Sequence, residues 1–340
     1  MSIAEDVLLA PFTTFKIGGP ARVFIESYTE GDVDAARDEA ARRALPLLPL
    51  RGGSNILVPD EGVEGLVLKI AFRDLMLEKD RDTTLLVAGA GLSWNDAVDA
   101  ACAPGVFGIE NLAGIPGTIG GAVVQNIGAY GAELADVFEY ADTVDGATGA
   151  RTRIDRAHAA FGYRTSFFKE HRTHIITRVV LRLHKRASPN IGYADLAQAQ
   201  EAGVPLETSA QVAHAIRAIR ARKFPRDSEG GTAGSFFKNP IISPERAETL
   251  AARYAGMPVF PQENGDVKVS LAWLLDHALA LRGYAVGRAR LYERQPLVIV
   301  ACAGATAAEI ETLARDVEER VFVATGITLE REVERFGLRK

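Results

Sequence analysis

The chain has 340 residues, of which 47% are hydrophobic and 24% charged, and its formal net charge is −5. Length and composition predict two or three globular domains and exclude a disordered chain. The acidic balance argues against nucleic-acid binding, which needs a basic field to displace phosphate counterions. Two distant cysteines, an acidic amino terminus and the lack of an apolar run of about 18 residues predict a cytoplasmic protein without disulfides, multi-cysteine metal sites or membrane spans.

Strands and helices alternate in the predictions for the first third of the chain. Apolar runs predict strands at residues 23–25, 47–50, 66–70 and 84–88. Alanine-rich segments predict helices at 32–45 and 94–103, the second ending before Pro104 and Gly105. Segment 113–131 has too many glycines for a stable helix and too much apolar content for a flexible linker, so it is predicted as a structured loop.

The second half of the chain is predicted to be more helical. Alternating or continuous apolar residues predict strands at 175–183, 297–301 and 329–336. Helical spacing predicts helices at 209–223, 244–254, 271–281 and 307–323. The sequence contains no internal repeat or low-complexity tract.

A glycine-rich turn, Gly52-Gly53-Ser54-Asn55, follows the apolar strand at 47–50. Bare backbone N–H groups in such a turn can form a nest for a phosphate, and serine and asparagine add donors. The turn lacks the Lys-Ser/Thr of a P-loop and the third glycine of a Rossmann fingerprint. A tight turn without a ligand remains the alternative, because glycine and asparagine are common in ordinary turns.

The second glycine-rich segment, 113–131, offers a different kind of surface. Small residues let the backbone approach a pyrophosphate or a ring closely, while Gln125 and Asn126 supply neutral donors and acceptors to the edge of a heterocycle. The alternative is a connection rich in β-bulges.

Six motifs in this order resemble the UDP-N-acetylenolpyruvoylglucosamine reductase family, type I, within the vanillyl-alcohol oxidase/p-cresol methylhydroxylase superfamily of FAD-binding proteins. They are RGGSNILV at 51–58, AGIPGTIGGA at 113–122, QNIGAYG at 125–131, GYRTSFFK at 162–169, GSFFKNP at 234–240 and LEREV at 329–333. The resemblance implies an α+β fold, with a two-part FAD-binding module and a C-terminal α+β substrate domain. The expected boundaries are 1–68 with 331–340 and then 69–216 for the two FAD-binding parts, and 217–330 for the substrate domain.

The resemblance also implies a reaction. FAD, bound non-covalently, is expected to take hydride from NADPH and pass it to the enolpyruvyl group of a UDP-sugar, which yields UDP-N-acetylmuramate. A monomer is expected. The implied cofactor-binding residues are Gly52, Gly53, Ser54, Asn55, Ile115, Pro116, Gly117, Gly120, Gly121, Gln125, Asn126, Gly128 and Ala129.

Three residues are implied as catalytic by their motif positions. Arg164, flanked by phenylalanines, would hold and polarise the substrate carboxylate, although an isolated arginine is usually solvated or ion-paired. Ser235 would donate a proton to the substrate carbon; its alternative role is that of a turn serine. Glu332 would assist the polarisation. By pattern alone Glu332 belongs to a solvated edge strand with Glu330 and Glu334 on the same face.

Further residues are implied as substrate contacts. The helix at 209–223 carries a basic stripe with Arg217, Arg220 and Lys223, which suits a diphosphate or, alternatively, only a solvated helix end. The implied substrate contacts are Tyr163, Tyr193, Arg220, Lys223, Asn239 and Gln295.

Other functions and two departures from the family pattern stay open. The enzymatic alternative is an FAD oxidase of a small alcohol or sugar, and the non-enzymatic one is a nucleotide-binding module. Three residues apart on a strand, His171 and His174 point to opposite faces, so no metal site is predicted. Arg51 stands where the family usually has glycine, and Phe260 stands where a tyrosine can occur, which puts one polar substrate contact in doubt.

Overall fold

A computed structural model describes residues 2–185 and 189–337. These residues form two compact units. The first unit contains the residues up to Val7, Ala21–Gly53 and Glu64–Ala221; the second contains Leu8–Pro20, Ser54–Val63 and the residues from Arg222 onward. No helix within the described ranges is long and apolar enough to cross a membrane. Parts of two predicted domain segments, residues 186–188 and 338–340, lie outside the described residues.

The amino-terminal sheet of the first unit has four strands, in the order Ile3–Leu8, Pro20–Ser27, Val63–Ile70 and Leu47–Leu50. The strand Leu47–Leu50 runs parallel to Val63–Ile70. The helix Glu30–Arg42 begins earlier than predicted because Thr29 and Asp32 form a capping box that satisfies exposed N–H groups. The predicted strands and helix of this region are confirmed.

The larger sheet of the first unit is antiparallel, in the order Arg151–Asp155, Phe138–Asp145, His174–His184, Thr83–Gly89 and Leu75–Asp80. The first unit also contains the helices Trp94–Cys102, Ile119–Gln125, Phe167–Glu170 and Ala194–Glu201, and the helix Ser209–Lys223 as far as Ala221. Fully buried Trp94 donates its indole N–H to the carbonyl of Leu112 at 2.9 Å. This bond joins the helix Trp94–Cys102 to the residue that precedes the glycine-rich segment 113–131. A side chain of the hydrophobic core thus holds the backbone just before the glycine-rich segment.

The prediction of a non-helical loop over 113–131 is wrong in part, because Ile119–Gln125 is a helix. Glycine lowers helix propensity by about 1 kcal/mol per residue relative to alanine. Two features outweigh that cost: the Thr118 side chain accepts the N–H of Gly121, and Ile119 and Val123 are fully buried. Tertiary packing therefore stabilises a helix that propensity alone disfavours.

The longest helix of the second unit, Ala307–Thr325, buries one face with Ile310, Leu313, Val317 and Val321. Its other helices are Pro244–Arg253 and Leu271–Trp273, the latter continued by a π-helical turn, Leu274–Ala278. One small sheet has the order Ile241–Ile242, Val267–Val269, Val259–Pro261, and another the order Ala285–Val286, Ala289–Tyr292, Gln295–Ala301. With both units combining helices and sheets, the predicted α+β class is confirmed.

The predicted strand over 329–336 is largely wrong. Only Glu334–Arg335 forms a ladder, parallel to Ile56–Leu57. Ahead of it, the N–H groups of Glu332 and Val333 both point to the carbonyl of Phe236, at 2.8 and 3.3 Å. Because two residues oppose one, the regular alternation is interrupted as in a β-bulge, and a common face for Glu330, Glu332 and Glu334 no longer follows from their spacing.

Candidate active site

The phosphate-binding turn predicted at residues 52–55 begins in the first unit, directly after the strand Leu47–Leu50. Gly53 carries the left-handed conformation, with φ 62°, whereas Arg51 is not among the residues with positive φ. The departure at Arg51 therefore causes no backbone strain of this kind. The Lys69 ammonium donates to the carbonyl of Arg51.

The two glycine-rich segments of the first unit meet at Gly52. A Cβ added there would lie 2.5 Å from Gly117 Cα and 2.7 Å from Thr118 N. A Cβ added at Gly121 would lie 4.0 Å from Gly52 N. A side chain at Gly52 would thus collide with the opposing backbone. A side chain at Gly121 would stand next to the amide nitrogen of Gly52. Glycine backbones that can approach this closely are also what a turn needs in order to hold the phosphates of a dinucleotide.

Gly120 and its neighbours fix the second segment to the large sheet. Gly120 N donates to the carbonyl of Ala90 at 2.9 Å, and a Cβ at Gly120 would lie 2.8 Å from the Ala90 Cβ. Ahead of the helix, Ile115 accepts at its carbonyl from the Asn95 side chain at 3.0 Å, while Pro116 is exposed. The glycines here are required by close packing as well as by any ligand.

Gln125 and Asn126 bond to protein partners through their side chains. Gln125 Oε1 accepts from Lys169 Nζ at 2.7 Å. Asn126, in the left-handed conformation at φ 45°, donates to Glu133 and to the carbonyl of Gly162, both at 3.0 Å, and accepts from Ala135 N. Both N–H donors of the Asn126 amide are therefore engaged within the first unit, and the predicted contact with a heterocycle edge through them has a competing structural explanation.

Arg164 lies at the tip of a tight turn closed by Gly162 and Thr165, whose N–H and carbonyl groups bond reciprocally at 3.1 and 3.2 Å. Its own φ is 57°, a conformation uncommon for a side-chain-bearing residue and frequent at functional sites. The guanidinium donates to the carbonyl of Gly128 at 2.6 Å and lies 5.3 Å from the centre of the Tyr163 ring. The strands Gly128–Ala129 and Ala132–Glu133 form a small hairpin. The bond from Arg164 brings this residue and the adjacent Tyr163 to that hairpin.

The sequence analysis assigned no role to Lys169, although it ends the GYRTSFFK motif. Lys169 Nζ donates to Gln125 Oε1 and also to the carbonyl of Arg164, at 3.0 Å. It therefore joins two motifs that carry predicted site residues. The only available signal was its place at the end of a motif, because lysines of this kind are usually exposed.

The basic stripe predicted on the helix Ser209–Lys223 is partly engaged in the first unit. Half-buried Arg220 donates from Nε to the carbonyl of Gly114 at 3.0 Å, and the loss of solvation lowers the pKa of this guanidinium. Arg217 lies beside it over Gly114 and pairs with Asp99 at 2.5 Å. Tyr193 is 46% exposed, and its ring meets the edge of the Tyr130 ring at 5.3 Å.

In the second unit, the backbone at Ser235 and Phe236 forms hydrogen bonds with two different segments of the chain. Ser235 bridges to Val298 and the N–H of Phe236 donates to Leu297, on one side. The carbonyl of Phe236 accepts from Glu332 on the other side, at 2.8 Å. Two predicted catalytic residues from distant motifs are therefore separated by a single backbone hydrogen bond and one residue of chain.

Asn55 also forms hydrogen bonds with the backbone of the segment that contains Glu332. Its side-chain N–H donates to the carbonyl of Glu332 at 3.0 Å, and its own carbonyl accepts from Glu334 N at 3.1 Å. The half of the predicted phosphate turn that lies in the second unit, Ser54 and Asn55, thus continues into the ladder beside Glu334. The backbone of Glu332 is fixed on both its N–H and its carbonyl side.

The remaining predicted substrate residues of the second unit differ in their surroundings. Asn239 accepts the N–H of Leu271 at 3.1 Å and so caps a short helix. Gln295 begins the strand that pairs with Ser235, and its buried Oε1 has no hydrogen-bond partner within the described part of the chain. Phe260 is half-exposed on the strand Val259–Pro261. Lys223 ends the helix Ser209–Lys223.

Cys102 is a free, buried cysteine of the first unit. Burial raises the pKa of Cys102 to about 11, which keeps its thiol protonated at neutral pH. Residues 2–185 and 189–337 contain no group of three or more histidine, cysteine or acidic side chains able to hold a metal ion. His171 and His174 both pack against Phe167.

Comparison with known proteins gives consistent matches over the whole chain. Residues 21–155 match the family model "FAD binding domain", and residues 225–336 match "UDP-N-acetylenolpyruvoylglucosamine reductase, C-terminal domain". The chain is 38% identical to the UDP-N-acetylenolpyruvoylglucosamine reductase of Pseudomonas aeruginosa, over 98% of both chains. It is 42% identical to that of Burkholderia ambifaria, over 98% of this chain and 96% of the relative. The crystal structure of the reductase from Thermus caldophilus matches with a TM-score of 0.70 and 28% identity, over 99% of each chain.

Proposed function

Because this chain belongs to the family of UDP-N-acetylenolpyruvoylglucosamine reductases, we propose that Arg164, Ser235 and Glu332 act on its substrate. The enzyme is an FAD-dependent oxidoreductase that uses NADPH to reduce UDP-N-acetylenolpyruvoylglucosamine to UDP-N-acetylmuramate in peptidoglycan precursor synthesis. The oxidase and the binding module without chemistry, kept open above, are thereby set aside. The observation that carries the residue assignment is the hydrogen bond from Glu332 N to the carbonyl next to Ser235.

The glycine segments are proposed to hold FAD non-covalently. The peptide N–H groups of Gly52 and Gly53 would bind its phosphates, because these residues carry no side chain. Gly121 would line the site through its backbone, with its own N–H held by the Thr118 hydroxyl. Bound FAD supplies the redox chemistry, by taking hydride from NADPH and passing it to the enolpyruvyl double bond. The further residues proposed to line its site are Ser54, Asn55, Ile115, Pro116, Gly117, Gly120, Gln125, Asn126, Gly128 and Ala129.

Arg164 and Glu332 are proposed to stabilise negative charge on the substrate carboxylate. A guanidinium keeps its proton at any physiological pH and presents a planar pair of donors that matches a carboxylate. The tight turn and the bond to Gly128 hold that fork in one direction, so little reorganisation is needed during the reaction. Glu332 would assist the polarisation, with its backbone fixed between Phe236 and Asn55.

Ser235 is proposed to protonate the substrate carbon next to the one that receives hydride. A serine hydroxyl is a weak acid, and it donates well only to a strongly basic centre at short range. Ser235 lies on backbone that pairs with the strand Gln295–Ala301, and its neighbours Phe236 and Phe237 are almost fully buried. That packing fixes the backbone that carries the hydroxyl.

Six residues are proposed to contact the nucleotide of the substrate. The proposed contacts are Tyr163, Tyr193, Arg220, Lys223, Asn239 and Gln295. The buried, unpartnered Oε1 of Gln295 supports a ligand donor there, since buried polar atoms normally find a partner. The division into domains at 68, 216 and 330 remains a proposal, as do a monomeric state, a cytoplasmic location and the absence of nucleic-acid partners.

Anaerobic stopped-flow spectroscopy tests this assignment in two steps. NADPH is expected to bleach the flavin absorbance of the purified protein, and UDP-N-acetylenolpyruvoylglucosamine is expected to restore it. Glu332→Gln should slow only the second step, by about 10²-fold. Equal slowing of both steps would remove Glu332 from the list of residues that act on substrate. Acid precipitation should release the flavin, whereas a covalent flavin would stay with the protein.

A further inference from the structure

The residue before Glu332 carries an ion-pair network that the proposed reaction does not use. Arg331 Nε and Nη2 donate to the two carboxylate oxygens of Glu318 at 2.5 and 3.1 Å, and Nη1 donates to Glu311 at 2.5 Å. Each of the three side chains is only 28% exposed. One cation therefore stands between two partly buried carboxylates, and a bidentate fork of this kind fixes direction as well as distance.

The partners of Arg331 lie on a rigid element. Glu311 and Glu318 are two turns apart on the helix Ala307–Thr325, so they share a face. Asp60 accepts the N–H groups of Ala307 and Ala308 at 2.7 and 2.9 Å at the start of this helix. The helix also packs its buried residues in the core of the second unit. Arg331 thus ties the segment before Glu332 to an element that is itself held at its start and along its length.

Arg331 also contacts the segment that contains Ser235. Its backbone bridges to Phe237, and its guanidinium lies 5.8 Å from the centre of the Phe236 ring. The residue following it, Glu332, donates to the carbonyl of Phe236. Burial opposes the charged form of Arg331, but the hydrogen bonds to Glu318 and Glu311 raise its pKa, so the cation persists.

We propose that Arg331 is a positioning residue, which sets Glu332 and the Ser235 segment in their relative places by anchoring both to the helix Ala307–Thr325. The LEREV motif implies a role for its second glutamate only, and Arg331 occupies the position between the two. The inference rests on the proposed role of Glu332. Misplacing a reacting group by about 1 Å can cost on the order of 10²-fold in rate.

The test is a double-mutant cycle on the FAD-loaded enzyme, read in both half-reactions. Arg331→Lys keeps the charge and loses the fork, and it should slow flavin reoxidation by UDP-N-acetylenolpyruvoylglucosamine by about tenfold. FAD content, reduction by NADPH and the KM for the sugar nucleotide should stay within about twofold. In a Glu332→Gln background the same substitution should add less than about twofold, because the residue that it positions has already lost its function.

Several outcomes would overturn the inference. A tenfold loss that persists in the Glu332→Gln background would indicate general structural damage, and equal loss in both half-reactions would do the same. An inert Arg331→Lys would show that the fork is dispensable. If Arg331→Lys does not fold, Glu318→Gln should give a loss of about threefold with the same dependence on Glu332. Arg282→Lys, which alters the ion pair with Asp276 elsewhere in the second unit, is the matched control and should change neither step.

If Glu332→Gln alone leaves both half-reactions unchanged, the proposed role of Glu332 fails on its own evidence. A tenfold effect of Arg331→Lys in that case would also contradict positioning of Glu332. The two failures are therefore distinguishable from the single variants.

Discussion

The two units place their predicted functional groups in opposite ways. In the first unit, glycines at 52 and 120 let backbone segments approach each other closely, and an added Cβ at either position would lie within 3 Å of neighbouring atoms. In the second unit, Ser235 and Glu332 are proposed to act through their side chains, and the short irregular segments that carry them are fixed by backbone hydrogen bonds and ion pairs. The first kind of site should therefore be damaged by adding atoms, and the second by removing them.

The largest effect is expected from adding one methyl group at Gly52. Gly52→Ala should abolish FAD retention, because its Cβ would meet backbone atoms of Gly117 and Thr118 that cannot move aside as a flexible side chain can. The ratio of flavin to polypeptide absorbance after purification measures this. Gly31→Ala is the matched control: its Cβ would lie 3.7 Å from the Thr29 hydroxyl, an ordinary contact, and helix propensity favours alanine. A Gly52→Ala protein with full flavin content would contradict the comparison.

Removing one oxygen from the second unit should affect only one half-reaction. Ser235→Ala should leave flavin reduction by NADPH near normal and slow reoxidation by substrate by at least about 10²-fold, the size of a general-acid contribution. Stopped-flow spectroscopy of the two steps gives both rates. Comparable slowing of the two steps would mean that Ser235 serves the flavin environment rather than proton transfer.

Arg164 tests the limits of the comparison, because it is proposed as a catalytic side chain and it bonds to the backbone of the glycine-rich hairpin at Gly128. Arg164→Lys keeps the charge but loses the fork that reaches Gly128, and it should slow reoxidation by about 10-fold or more. Its FAD content should be unchanged, which separates it from Gly52→Ala. Turnover equal to that of the parent enzyme would remove Arg164 from the catalytic list.

The smallest effects come from a matched pair of helix caps. The Thr118 hydroxyl accepts from Gly121 N at 3.3 Å, and the Thr306 hydroxyl accepts from Glu309 N at 3.1 Å. Either threonine-to-alanine change should cost about 1 kcal/mol of unfolding free energy, measured by denaturant titration. Only Thr118→Ala should also weaken FAD binding, since it alone caps the glycine helix Ile119–Gln125. Equal FAD affinity in both variants would show that this cap is purely structural.

Local patterns predicted regular elements well where one signal dominated. The strand at 47–50 and the helix at 209–223 match the structure at both ends, because a short apolar run and a long periodic segment each leave few alternatives. The helix at Ile119–Gln125 was missed because its stability comes from the buried side chains of Ile119 and Val123. The strand predicted over 329–336 was wrong because Phe236, a residue far away in the chain, accepts two consecutive N–H groups there.

The sequence by itself determined the family, the cofactor class and the reaction, because glycine-rich turns and a few polar residues form short motifs that occur in a fixed order along the chain. It could not reveal that Glu332 is joined to the residue after Ser235, or that Lys169 links Gln125 to Arg164. Those relations were decided by the tertiary structure alone. Hydrogen bonds between distant segments depend on where the chain returns in space, and no local periodicity records that return.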